Sequence, residues 1–331
     1  MKHWFIIFWL FTLVWPQKGY NDSFQLLGTT TRMANLGQAV IADYGQPGAW
    51  IVNPAATAGL SRMQIYGTYM HQFGMAEYGS TGLLVPQNPR WTWGVFVLGV
   101  YVDNLFLRPD LRTVKDLETR RDSIRALVAH GFRSFHDWEM SGSFNIARRY
   151  HWDLDLGWML DNIPVDIPVG INLHFMRKNL YHYTGMGIGA DVGGMFIFDL
   201  EDILPLDGPG RIAVGVALKH VVGTRILWNT RRLDIIPQQF ITGFKYTQPI
   251  WTPFLTLHFY RQTNWQYGEQ DYGLEIDAGK LISIYAGFRI GYYQGGLEIR
   301  LSEFGIPVSV GYGFSNHAFG MIHRFGFQWH R

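Results

Sequence analysis

From residue 62 to the C-terminus, apolar side chains recur at every second position. In RIAVGVALKH, Ile212, Val214, Val216 and Leu218 alternate with Arg211, Ala213, Gly215, Ala217 and Lys219. IPVGINLHF sets Ile167, Val169, Ile171, Leu173 and Phe175 against Gly170, Asn172 and His174, and YGLEIDA sets Tyr272, Leu274 and Ile276 against Gly273, Glu275 and Asp277. Successive strand side chains point to opposite faces, so this period predicts antiparallel strands with one apolar face and one small or polar face. The pattern predicts about fourteen strands, near 62–71, 74–84, 91–102, 138–150, 165–176, 185–198, 210–220, 239–247, 252–262, 269–279, 281–291, 293–301, 305–313 and 319–330. Turn-forming stretches such as PQNPR at 86–90, DNIPVD at 161–166 and LPLDGPG at 204–210 separate them.

Such a set of strands folds either as a double-layer soluble structure or as a closed barrel, and periodicity does not say which face is outside. Composition favours the barrel. Charged residues are 16% of the chain, against roughly 25% in soluble globular proteins. If the apolar faces turned inward, the surface would consist of Gly, Ser, Ala and Asn with few charges. Turned outward into lipid, they need no charge, and an even strand number closes both edges. Aromatic residues gather near strand ends, as Trp91, Trp93 and Tyr101, Trp251 and Phe259, and Phe325, Phe327 and Trp329, which suits interfacial girdles. The predicted fold is therefore all-β, a closed antiparallel transmembrane barrel spanning 61–331, in contact with outer-membrane lipid.

The N-terminal MKHWFIIFWLFTLVWPQKG has a basic start and an apolar block from Trp4 to Trp15. Such a block is short for a membrane span and suits a signal peptide over 1–19. Residues 20–60 lack the alternation. Within them, GAWIVNPAATAGL stops an apolar run on Asn53-Pro54, because Pro54 has no N–H and pushes Asn53 out of the helical region. Residues 103–137 also break the period, concentrate charge, and read as partly helical; a ligand lid, a docking loop and a plain solvated loop all fit. VVGTRILWNTRRLDIIPQQ forms a second long connection, supplying Arg225, Arg231 and Arg232.

Little catalytic chemistry is visible. There is no Gly-x-Ser-x-Gly, no His-Glu-x-x-His, no phosphate-binding Gly-rich loop and no calcium loop. His258 and Ser283 are suitable types for a hydrolytic pair, but nothing brings them together. His130, His136 and Asp137, and separately His317 and His323, read as solvated or structural groups. No catalytic residue, metal site or cofactor is predicted. With a net charge of +2, nucleic acid is not an expected partner, and the absence of cysteine excludes disulfides. Charged residues on polar strand faces are candidate lumen-facing groups: Asp191, Lys219, Lys245, Glu275, Asp277, Arg289, Glu298 and Arg300. Ion pairing inside the barrel is the simplest account of them.

The lead RMANLGQAVIADYGQPGAWIVNPAATAGL, followed directly by a strand, resembles the N-terminal region of the PorV/PorQ family, outer-membrane barrels related in architecture to the FadL fatty-acid transporters. The likeness rests on Asn35-Leu36-Gly37-Gln38-Ala39, Ala42-Asp43, Asn53-Pro54-Ala55 and Gly59-Leu60. Further matches are Phe244-Lys245-Tyr246, Gly287-Phe288-Arg289, Gly296-Leu297-Glu298-Ile299, Tyr312-Gly313-Phe314 and His323-Arg324-Phe325-Gly326-Phe327. The chain departs where Ile51-Val52 separate Trp50 from Asn53, and where it ends on Trp329-His330-Arg331. The resemblance implies that residues 20–60 form a plug or hatch, with Asn53, Pro54, Ala55 and Gly59 at the exit from lumen to wall. It implies location in the outer membrane of a Gram-negative-type bacterium and a role as a scaffold or adaptor for type IX-like secretion, with secretion components or cargo docking on 103–137. The alternative it implies is passive FadL-like transport of a hydrophobic small molecule.

Overall fold

The computed structural model of the protein describes residues 28–331, apart from 108–109, 113, 132, 156, 158–161 and 205–207. The expected signal peptide lies outside the described residues. Fourteen strands close into a ring: β1 (Gln64–Gln72), β2 (Ala76–Asn88), β3 (Trp91–Phe106), β4 (Ser134–Leu154), β5 (Ile163–Leu180), β6 (Tyr183–Asp199), β7 (Arg211–Lys219), and β10 to β16. The latter are β10 (Gln239–Trp251), β11 (Leu255–Asn264), β12 (Glu269–Ala278), β13 (Ile282–Arg289), β14 (Tyr292–Arg300), β15 (Val308–His317) and β16 (Gly320–His330). Each pairs antiparallel with its neighbour, and β1 closes on β16 through Gln64↔His330 to His71↔His323. Two further strands, β8 (Thr224–Trp228) and β9 (Leu233–Ile236), form a hairpin within the second long connection. β6 shares one edge between two partners: Val192–Asp199 pair with β7, and Gly185–Ile188 pair with β8.

The apolar face is outside. Val95, Val97, Phe144, Ile146, Ile171, Leu173, Val214 and Val216 are exposed, whereas Asn145, Asn172, Gln262, Glu275 and Ser283 are buried on the inner side. A sheet closed on itself leaves no unpaired edge for lipid to meet, and apolar-out, polar-in alternation matches a membrane barrel. Exposed aromatics stand at both ends: Trp91, Tyr150, Trp152 and Trp251 at the end that holds the C-terminus, Tyr69, Tyr101, Tyr181 and Tyr183 at the other. The guanidinium of Arg148 lies over the Trp91 and Tyr150 rings at 5.0 and 4.6 Å, a contact suited to the headgroup level. The protein is an outer-membrane β-barrel.

The connections 107–133 and 220–238, longest among those joining the ring strands, lie at the end opposite the C-terminus, which is the extracellular end of such barrels. The first contains α2 (Leu117–His130), with no buried residue and Asp116 as its N-cap. The Asp116 carboxylate accepts from the Thr119 hydroxyl at 2.6 Å and the Thr119 N–H at 2.8 Å. These two bonds hold it below the ordinary carboxylate range.

Candidate functional site

Residues 28–60 lie inside the ring and are almost entirely buried. They begin with α1 (Thr31–Asn35), capped by Thr30, and end in two 3-10 helices, Ala49–Ile51 and Pro54–Gly59. The segment touches wall strands all round the ring. Trp50 donates to the Tyr66 hydroxyl at 2.8 Å and packs edge-on against Phe96 at 5.6 Å. Ser80 donates to Thr29 O, Thr57 to Asn145, and Asn35 to Tyr312 O. Ile41 N donates to Gln262 on β11.

Several inward wall positions admit this only because they are glycines. A methyl at Gly170 would collide with Pro54 O, at Gly193 with the Asn53 side chain, at Gly215 with Ile41 O, and at Gly287 with Gly37 N. The inner segment therefore lies directly on the wall's backbone at β5, β6, β7 and β13.

One charge network joins segment to wall. Arg32 bonds Asp43 beside it, and reaches Glu275 at 2.6 and 3.2 Å and Tyr260 at 2.8 Å. Lys245 donates to Asp43 at 3.0 Å, and the Tyr260 hydroxyl donates to Glu275. Two cations and two carboxylates balance inside a buried site, which is the condition for burying any of them.

Asn53 is fully buried rather than at the exit to the wall. Its amide donates to Ile41 O at 2.7 Å and Gly194 O at 3.1 Å, while its oxygen accepts from Ala55 N at 3.1 Å. Pro54 opens the second 3-10 helix, where a missing N–H costs nothing, and Gly59 closes it beneath the Tyr44 ring. The chain then reaches the wall at Gln64.

The eight charged positions singled out in the sequence divide among several contacts. Lys245 and Glu275 belong to the Arg32 network. Asp277 receives Arg300 at 2.6 Å and His258 at 3.0 Å. Arg289 lies 3.6 Å from Glu269 and 4.0 Å from Asp271. Glu298 lines a small inner cavity with Arg32. Asp191 and Lys219 are buried near the end of β7, where Asp191 accepts from His220 N at 2.9 Å.

His258 and Ser283 do meet, but through Asp277: Ser283 donates to one carboxylate oxygen and His258 contacts the other. In a nucleophilic triad the imidazole stands between acid and hydroxyl; here the acid stands between, and the His258 ring bonds the carboxylate rather than the serine hydroxyl. His136 and Asp137 lie next to each other on β4 and therefore face opposite sides, with His136 exposed beside Tyr101. His317 stacks on Tyr292, and His323 bonds the Tyr312 hydroxyl. The histidines that cluster are two others, His174 and His220, whose strands periodicity located without showing that they converge.

Each mouth holds an open cavity. At the C-terminal end about 450 Å³ is lined by Tyr44, Asp199, Arg211, Lys245 and His258, and at the opposite end about 460 Å³ by Asp137, Glu139, Lys178, Trp228 and Asp234. The outer wall carries a groove of about 610 Å³ across β16, β1, β2 and β3, lined by Tyr69, Val97, Phe325 and Phe327 around Gly67 and Gly79. Gly67, Thr68, Gly326 and Phe327 also bound the inner cavity, about 20 Å³, beside Thr31 and Arg32. Groove and cavity thus meet across the β1–β16 seam.

No protein-family model and no curated protein matches the chain, so the PorV/PorQ resemblance gains no support from either. Solved barrels resemble it in architecture at low identity. The Pseudomonas putida toluene transporter TodX aligns with 92% of this chain and 96% of its own, at 9% identity and a TM-score of 0.44. The Acinetobacter baumannii outer membrane protein Omp33 aligns with 82% of this chain and 98% of its own, at 10% identity and a TM-score of 0.42. A Pseudomonas aeruginosa FadL homologue covers 92% of this chain and 97% of its own, at 8% identity and a TM-score of 0.30.

Proposed function

We propose that the barrel passes hydrophobic small molecules across the outer membrane without chemistry, entering or leaving through its wall. The observation that carries this reading is the apolar groove on the β1–β16 seam backed by the small cavity behind Gly67, Thr68 and Gly326. Residues 28–60 lie buried inside the ring against strands on every side, which disfavours an axial path. An apolar solute already concentrates in lipid, and the groove offers it a surface of Val97, Phe325 and Phe327. The inner cavity is far smaller than a ligand, so passage requires the seam to widen.

Gly79 provides the test, because a Cβ there would meet no described atom within 4 Å. A Gly79→Trp variant fills the groove and leaves the fold intact, as judged by heat-modifiable migration. Uptake of an aliphatic or monoaromatic hydrocarbon into proteoliposomes should exceed that of empty vesicles with the wild-type protein and fall several-fold with the variant. Equal uptake by wild type and empty vesicles removes the function, and unchanged uptake by Gly79→Trp removes this route.

The adaptor reading has one observation in its favour. α2 stands clear of the barrel with Leu117, Ile124 and Val128 exposed on one face, a surface able to dock a partner in the manner of an amphipathic helix. Retention of secretion components by the detergent-purified barrel, and their loss on deleting 107–133, would support it; hydrocarbon uptake unaffected by that deletion would separate the two readings.

A further inference from the structure

We infer that His174, Asp191 and His220 form a divalent transition-metal site, of zinc type, inside the extracellular end of the barrel. The three residues are buried, and one ligand atom from each comes within 4.8 Å of the other two. They arrive from β5, from β6 and from the turn after β7. Their partners sort the donor atoms. Thr224 Oγ1 lies 3.0 Å from His174 Nε2 and 2.7 Å from His220 Nδ1, placing one hydroxyl oxygen to accept from both rings when each carries its proton on that nitrogen. In those tautomers the nitrogens with free lone pairs are His174 Nδ1 and His220 Nε2. His174 Nδ1 already lies 3.6 Å from Asp191 Oδ2, close to the ligand–ligand edge of a tetrahedral zinc site with bonds of about 2.0–2.1 Å. Among the described residues, His220 Nε2 is buried with no hydrogen-bond partner. Asp191 Oδ1 is occupied by His220 N at 2.9 Å, which orients Oδ2.

Imidazole held through its second nitrogen and an oriented carboxylate are the usual ligands of zinc and its neighbours, with a fourth position left for water. The cluster is also tightly seated: a methyl on Gly189 would collide with both Thr224 Oγ1 and the His174 ring. Lys219 opposes the site. It is buried next to His220, and in the β6–β7 register it follows opposite Asp191. In the metal-free protein Lys219 and Asp191 balance, and an incoming dication must work against the ammonium. Because Thr224 begins β8, the bound metal would fasten the β8–β9 hairpin to the β5–β6 wall.

The test uses the full-length protein without a polyhistidine tag, stripped with EDTA in detergent and titrated with Co²⁺, then with Zn²⁺ in competition. The expected result is one Co²⁺ per barrel with the visible absorption of a tetrahedral site, displaced by Zn²⁺. His174→Ala and His220→Ala, checked as folded by heat-modifiable migration, should each weaken binding on the order of a hundredfold or more, and Thr224→Val roughly ten- to a hundredfold. Lys219→Met should tighten binding. A wild-type barrel that gives no tetrahedral cobalt spectrum overturns the site whatever the variants do, as does equal binding by wild type and His220→Ala.

Discussion

Arg32 is the residue on which retention of the inner segment should depend most. Its guanidinium is buried and bonds Asp43 on the segment and Glu275 and Tyr260 on the wall. In Arg32→Met, Glu275 keeps only the Tyr260 hydroxyl, while Asp43 keeps Lys245 at 3.0 Å. Breaking a buried pair by removing one partner costs roughly 3–5 kcal/mol, because the other charge stays buried. At about 1.4 kcal/mol per tenfold, the equilibrium for releasing the segment should shift by roughly two to three and a half powers of ten. The wall has its own closed ladder of hydrogen bonds, so the loss should appear as local opening rather than as barrel unfolding. Hydrogen exchange read by mass spectrometry should show faster exchange of peptides within 28–60 by that factor and unchanged protection of strand peptides. Arg32→Met combined with Glu275→Gln should recover much of the loss, since the carboxylate that bonded Arg32 directly is then no longer left charged on the wall. Unchanged exchange in Arg32→Met would refute the network as the fastening, and a double variant as open as the single would assign the loss to packing.

Gly193→Leu should expel Asn53 from its place against β6 and give protease access to the inner segment in a barrel that still migrates as folded; full protection would show that the wall yields instead. Ile171→Arg, on the lipid face in mid-β5, should lower barrel stability in lipid vesicles by about 2–4 kcal/mol, while Tyr181→Arg at the rim should cost about 0–1 kcal/mol; equal costs in denaturant titrations would contradict the apolar-out assignment. Asp116→Ala should speed amide exchange in α2 above the carboxylate range. In the wild-type protein the same loosening should appear as pH falls through that range, because the bound carboxylate's depressed pKa makes its capping contribution disappear on protonation. An α2 exchange pattern indifferent to both would remove the cap.

The wall was legible in the sequence because alternation is a local property. The fourteen ring strands lie within a few residues of the fourteen periodic segments, and the low charge gave the correct side for the apolar face. β8 and β9 escaped notice since five and four residues hold too few alternations to separate from a charged loop. The inner contacts escaped for a different reason. Arg32 meets Glu275 across 243 residues, and His174 and Thr224 meet across 50 residues; nothing in the local pattern encodes which inward positions share a level of the barrel. Gly170, Gly193 and Gly215 carried that information in part, as inward positions with no side chain. Read locally they signal only weak strands.

Those glycines also bear on how the barrel works. Had the inner segment rested on side chains, it could withdraw as rotamers changed, and the lumen would be an axial gate. At Gly170, Gly193, Gly215 and Gly287 it rests on the wall's backbone instead, and the Arg32 network adds charge pairs that lose their partners on withdrawal. Opening along the axis must break both kinds of contact together. Opening at the β1–β16 seam leaves those four glycine contacts and the charge pairs in place, parting instead the seam's own backbone ladder and the seat of Thr31 against Gly326. On the proposed lateral route the solute passes at the wall, where the groove is apolar and faces lipid, so filling that groove at Gly79 should affect transport more than loosening the segment at Arg32. A larger effect of Arg32→Met than of Gly79→Trp on hydrocarbon uptake would reverse that order and return the route to the barrel axis.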